Sequence, residues 1–152
     1  MFEKILVCLD GSNLSEQILP FAEAQALKFN SRVILFRVVT ISSNSIVQAG
    51  ATYQDAKDHA DQAQNDFAKA TVYLENVTRS LQAKGIQSQV EVVKAPSVGK
   101  AILDYAENNH VDLIAIATHG HSGLGHLVFG NVAEHVLKQS GLPMLVIRPK
   151  NT

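Results

Sequence analysis

Short runs of β-branched and other apolar residues alternate with helical patterns along the whole chain, and this alternation constrains the fold more than any other feature. The apolar runs are Ile5 to Leu9, Arg32 to Val39, Ser88 to Val93, Val111 to Ala117 and Met144 to Ile147. Runs this short and this continuous suit strands buried on both faces, as in a parallel sheet. Helical segments between them supply the right-handed crossovers that parallel strands need. The expected fold is α/β, a single domain with an open parallel five-stranded sheet and helices on both faces. A chain of 152 residues is enough for one such domain with a sizeable core.

The helical segments carry their own punctuation. Ser12 or Asn13 can cap a helix running to about Phe29, with Ile18, Leu19, Ala22, Ala26 and Leu27 on one side. Pro20 lies inside that segment and removes a backbone donor, which predicts a kink. Ile41 to Tyr53 is rich in Ser, Gly and Gln without clear periodicity and reads as a mobile connection. From Asp55 to Lys84, the residues Ala56, Ala60, Ala63, Phe67, Ala70, Leu74, Val77 and Leu81 form one stripe at steps of four and three. Coiled-coil spacing looks similar, but the alanine-heavy first half makes a weak zipper, and the second half suits packing on a sheet. Further helices are expected over Ser97 to Asn109 and Asn131 to Ser140. Asn131 and Glu134 resemble a capping box at the start of the last one.

Composition narrows the function classes. A formal net charge of -1 argues against a broad nucleic-acid or membrane footprint. A single cysteine, Cys8, excludes an internal disulfide and a multi-cysteine zinc site. It sits in an apolar strand, where a buried inert thiol is the expected state. The N-terminus runs straight into a strand pattern without a leader-like segment, and no apolar run approaches a membrane span. A cytoplasmic protein is the expectation.

In open parallel sheets, ligands bind beyond the carboxyl ends of the strands near the point where strand order reverses. Asp10-Gly11-Ser12 follows the first strand there, and Ala117-Thr118-His119-Gly120 follows the fourth. Asp10 suits ribose hydroxyls or a phosphate-bound metal ion, or it serves only as a carboxylate favoured by a helix dipole. The stretch Ala117 to Asn131, A-T-H-G-H-S-G-L-G-H-L-V-F-G-N, is a Gly-rich loop between a buried strand and a helix start. Such a loop can cradle an anion, or its glycines can merely permit turns. It matches neither G-x-x-x-x-G-K-[ST] nor G-x-G-x-x-G, which disfavours a P-loop NTPase and an ordinary dinucleotide fold. His119, His121 and His126 share the loop, with His135 on the helix beyond. In an extended backbone His119 and His121 point apart, and the loop contains no acidic residue, so a metal centre is not expected.

These residues resemble the universal stress protein family over essentially the full chain. The match rests on the opening K-I-L-V-C-L-D-G-S, on V-I-L-F-R-V-V, on V-V-K-A-P, and on the block from A-T-H-G to L-P-M-L-V-I-R-P. Family members that bind ATP share G-x2-G-x9-G-[ST], whose positions fall here on Ala117, Gly120, Gly130 and Asn131. The spacing is intact, but alanine replaces the first glycine and asparagine replaces the Ser/Thr. The resemblance implies a Rossmann-like sheet of the adenine nucleotide alpha hydrolase-like type. It also implies that Asp10 contacts ribose or a metal beside Cys8 and Leu9, and that the Val38 backbone meets adenine. Thr118, His119, Gly120 and His121, beside Ala117, would wrap ribose and the first phosphates. Gly130, Asn131 and Val132 would offer N–H groups to the distal phosphates.

Loss of the small hydroxyl at Asn131 predicts a weaker preference for ATP, with ADP or AMP serving as well, with or without Mg2+. The resemblance further implies a homodimer through Met144 to Ile147, acting as a stress-response regulator on an unidentified protein partner. The alternatives are a dimeric adaptor that does not bind nucleotide, and a slow ATPase or self-phosphorylating protein. The loop supplies no arginine to neutralise a γ-phosphate, so at most weak ATPase activity is expected.

Overall fold

The structure is a computed structural model, and it describes residues 1–42, 50–118 and 130–151. Five parallel strands form one sheet: β1 (Lys4–Cys8), β2 (Arg32–Thr40), β3 (Ser88–Ala95), β4 (Leu113–Ala117) and β5 (Met144–Ile147). Their spatial order is β3-β2-β1-β4-β5. The chain builds outward from β1 through β2 to β3, then returns to the other side of β1 to lay down β4 and β5. Strand order therefore reverses between β1 and β4.

Strand alternation sorts the core into two layers. Ile5, Val7, Leu9, Val33, Leu35, Leu113 and Ala115 face one side, where they pack on Ile18, Ala22, Ala26, Leu74 and Leu81. Leu6, Cys8, Ile34, Phe36, Ile114 and Ile116 face the other and meet Ile102, Ala106, Ala133 and Val136. The first layer is covered by α1 (Asn13–Glu16), α2 (Leu19–Phe29) and α3 (Tyr53–Ala83), the second by α4 (Val98–Asn108) and α5 (Asn131–Gln139). All of β1 from Ile5 to Cys8 is buried, because it is the central strand and is covered on both faces.

The segment expected as one kinked helix is two helices. Ser12 caps α1, its side chain accepting from the Ser15 N–H. Pro20 cannot donate to the Glu16 carbonyl, so the α-helical ladder stops before it. Gln17 and Ile18 instead donate to Leu14 and Ser15, three residues back. Pro20 then occupies the first turn of α2, where a missing N–H costs least.

Helix α3 begins two residues earlier than periodicity suggests, because Thr52 and Asp55 form a full capping box. Its 31 residues extend about 46 Å at 1.5 Å per residue, well beyond the sheet it covers. Only Ala70, Leu74 and Leu81 are fully buried. Lys94, one residue from the end of β3, reaches Gln64 (2.7 Å) and lies over the Phe67 ring. The turns before Gln64 therefore project past the carboxyl edge of the sheet, so the Ala-rich half of the stripe belongs to this projection. Among the described residues, no helix is long and apolar enough to cross a membrane.

Two stability outcomes follow from this packing. Leu74→Ala removes a wholly buried side chain and should lower unfolding free energy by about 2–5 kcal/mol in a denaturant titration. Ala60→Gln, on the projecting half, should stay within about 0.5 kcal/mol of wild type. The Cys8 thiol is 8% exposed, and burial pushes it from 9.0 up to about 12. Native Cys8 keeps a proton that the unfolded chain releases above pH 9, so its contribution is full below that pH and is lost toward pH 12. The wild-type protein should lose up to about 1.4 kcal/mol more per pH unit across that window than Cys8→Ala. Parallel pH profiles of the two would contradict the burial assignment.

Candidate functional site

Where strand order reverses, the helices that follow β1 and β4 lie in opposite layers, and a cleft of about 180 Å3 opens at the carboxyl edge. Its wall on the β1 side is Cys8, Leu9 and Asp10. Phe36 and Val38 of β2 and Ile116 and Ala117 of β4 form its floor. Val98 of α4 and the first residues of α5, Gly130 to Ala133, close the far side. The lining is mostly apolar, with Asp10 at one end and a helix start at the other.

The Asp10 end is built by a tight turn. Gly11 has φ +87, a left-handed conformation that favours glycine. Asp10 Oδ1 accepts from both the N–H (2.8 Å) and the hydroxyl (2.6 Å) of Ser12. The Asp10 N–H donates to Ser15 Oγ (3.3 Å), and Ser15 Oγ donates in turn to the Ser12 carbonyl (2.9 Å). The carboxylate is thus fixed by the same serine that caps α1.

Main-chain groups border the cleft as well. The Leu9 N–H donates to the Phe36 carbonyl (2.9 Å), so the peptide groups at Phe36 point toward β1. By the two-residue period those of Val38 point the same way. Strand β1 ends at Cys8 and the chain turns away at Gly11, which leaves that side of Val38 beside the cleft.

At the opposite end α5 starts without a side-chain cap. Gly130 is the N-cap residue, and the Glu134 N–H donates to its carbonyl (3.1 Å). The N–H groups of Asn131, Val132 and Ala133 precede the first intrahelical donor, the Glu134 N–H. The capping box expected of Asn131 and Glu134 does not form. Asn131 is already helical, one residue past the cap, and Glu134 instead pairs with Lys138 (2.6 Å). An uncapped helix start lined by a glycine presents partial positive charge to the cleft.

Of the residues expected at the site, Cys8, Leu9, Asp10, Val38, Ala117, Gly130, Asn131 and Val132 line this one cleft. Thr118 is not among its lining residues. It is buried, and both its N–H (2.9 Å) and its hydroxyl (3.3 Å) donate to the Ile147 carbonyl of β5. His119, Gly120 and His121 lie outside the described residues, as do Gly123, Gly125 and His126. Sequence reasoning missed Ser15, Phe36, Val98, Ile116 and Ala133. Phe36 was findable by alternation from Val38, and Ile116 by its register opposite Cys8. Among the described residues, no three His, Cys, Asp or Glu side chains are grouped to hold a metal ion. With its thiol pushed up to about 12, Cys8 is a poor nucleophile. The arrangement is suited to binding a flat apolar group and an anion.

Comparison with known proteins agrees with the fold. The family model described as the universal stress protein family matches residues 1–148. The universal stress protein YxiE of Bacillus subtilis is 28% identical over 153 residues, covering 97% of this chain and all of its own. The solved structure of MJ0577 from Methanocaldococcus jannaschii superposes with a TM-score of 0.82 at 27% identity, covering 100% of this chain and 99% of that one. A universal stress protein family protein from Arabidopsis thaliana, solved with AMP bound, shares the fold at a TM-score of 0.63 and 14% identity, covering 97% of this chain and 92% of that one. The chain belongs to the universal stress protein family.

Proposed function

We propose that the cleft binds an adenine nucleotide and that the protein is a cytoplasmic, homodimeric stress-response regulator governed by that ligand. The observation that carries this reading is the uncapped start of α5 facing an apolar cleft at the sheet's switch point. At about 180 Å3 the cleft suits a base more than a whole drug-sized ligand. The base would lie among Phe36, Val38, Val98 and Ile116, with its polar edge toward the Val38 backbone. Ribose would sit by Asp10. Phosphates would run over Gly130, Asn131 and Val132, with His119, Gly120 and His121 proposed around them and Thr118 held away by its bonds to Ile147. That a protein of the same fold was solved with AMP bound supports an adenine nucleotide as the class of ligand.

Asn131 stands where ATP-binding relatives carry a hydroxyl, so ADP and AMP are expected to compete well with ATP. If Mg2+ accompanies the phosphates, Asp10 is the hard oxygen ligand the cleft offers, and one carboxylate plus phosphate suits that ion. The chemistry expected is binding, with turnover at most slow.

Calorimetric titration with ATP, ADP and AMP, with and without Mg2+, tests the reading. One saturable site per chain is expected. Gly130→Val should weaken binding by at least about tenfold, because a branched side chain would stand where phosphate approaches the helix start. The absence of heat at millimolar nucleotide would favour an adaptor that does not bind nucleotide.

The dimer surface proposed is β5. Among the described residues β5 has one strand neighbour, β4, and Met144 to Ile147 are all half-buried at that end of the sheet. An apolar edge strand invites pairing with a second copy. Val146→Lys should convert the dimer to monomer in sedimentation, and a dimer that persists would place the interface elsewhere.

A further inference from the structure

Arg37 is the one charge inside the apolar run of β2, V-I-L-F-R-V-V, and neither the resemblance nor the cleft lining accounts for it. Strand alternation puts it on the face opposite Phe36 and Val38, away from the cleft. It is half-buried, beside the turn that follows β1.

Its guanidinium lies against Gly11. A Cβ at Gly11 would stand 2.8 Å from Nη1, 3.1 Å from Cζ and 3.2 Å from Nη2, so the group's face covers the space a side chain would need. On the other side Cζ is 5.5 Å from the centroid of the Tyr73 ring, a cation–π contact with α3. The Tyr73 hydroxyl donates to Glu16 Oε1 (2.8 Å), at the end of α1. Ser12 caps α1, and Ser12 holds Asp10 Oδ1. The contacts close a ring: Asp10 to Ser12, along α1 to Glu16, across to Tyr73, onto Arg37, and back to Gly11.

Such a ring restricts the turn in a way that no single hydrogen bond would. Gly11 has the widest backbone freedom of any residue type, and a turn through it wanders unless something packs on it. The flat guanidinium does so, and Tyr73 and Glu16 keep it there. We propose that Arg37 is a positioning residue, wedging the Asp10-Gly11-Ser12 turn in the conformation that presents the Asp10 carboxylate to the ribose hydroxyls of the nucleotide. The inference rests on the nucleotide reading of the cleft and assigns to the opposite face of the sheet the setting of its ribose end. Arg37 itself touches no ligand.

The test compares AMP with its 2′,3′-dideoxy analogue by calorimetry, with thermal unfolding measured in parallel. Wild-type protein should favour AMP by about tenfold or more, because hydroxyls donating to a charged carboxylate are lost in the analogue. Arg37→Ala should bring that ratio close to one while affinity for the analogue itself changes little. Arg37→Lys should behave alike, since an ammonium cannot present a flat face to Gly11 and the tyrosine ring, and it serves if the alanine variant does not fold. Asp10→Ala should abolish the preference, and adding Arg37→Ala to it should change the ratio no further.

If Arg37 variants lower the unfolding midpoint but keep the wild-type preference, the side chain is only structural and the inference fails. If wild-type protein binds AMP without preferring it to the analogue, the ribose role of Asp10 and the inference fail while the nucleotide reading stands. If wild-type protein binds neither compound, the nucleotide reading itself fails.

Discussion

Everything at the carboxyl edge depends on one topological constraint, the reversal of strand order at the centre of the sheet. β1 hydrogen-bonds to β2 on one side and β4 on the other. Its continuation turns toward the α1–α3 layer, while the chain after β4 goes to α5 in the opposite layer. Elements bound for opposite layers leave a cleft at the switch point, and its floor is the top of the buried central strands. The apolar floor is thus a by-product of core packing: Phe36, Ile116 and Cys8 continue the same row that buries Leu6, Ile34 and Ile114 below. The polar ends come from what the departing loops must do to start helices. One uses Ser12 and a left-handed glycine, and the other uses a bare glycine cap.

The two helix starts show how local capping choices decide what a cleft can hold. At α1 the cap is filled by Ser12, which also grips Asp10, so this end offers a fixed carboxylate. At α5 the cap residue is a glycine, so among the described residues no side chain caps the N–H groups of the first turn. A negative group at one end and a positive field at the other, across an apolar floor, match a ligand with hydroxyls, a flat ring and an anion. Under the proposed nucleotide reading, Asn131 would bear on phosphate preference, because it stands on the first turn of α5.

Most of the architecture was legible because it depends on periodicity. The five apolar runs became five strands, and the stripe from Phe67 to Leu81 became the packed half of α3. Where reading failed, a local hydrogen bond had outweighed pattern. The Thr52–Asp55 capping box moved the start of α3 to Tyr53, although T-x-x-D was there to be read. The Asn131–Glu134 pair has the capping spacing but lies one residue too far along, because Gly130 took the cap and Lys138 took the carboxylate. Pro20 was legible as a disturbance, but its outcome, a complete break, depended on Gln17 and Ile18 donating to the carbonyls three residues back. At the site, positions at strand ends were foreseeable from chain order. Thr118 committing its hydroxyl to Ile147, and Arg37 settling on Gly11, were not, since both depend on which strand lies next in space.

The central claim is that an adenine nucleotide occupies the cleft between the β1 turn and the start of α5. Backbone amide NMR of the isotope-labelled protein titrated with AMP or ATP tests it most directly. The account predicts saturable shifts at Leu9, Asp10, Val38 and Asn131 to Ala133, with the opposite edge of the sheet, around Glu107, His110 and Asp112, unmoved. A spectrum unchanged at millimolar nucleotide, or shifts confined to that opposite edge, would contradict it.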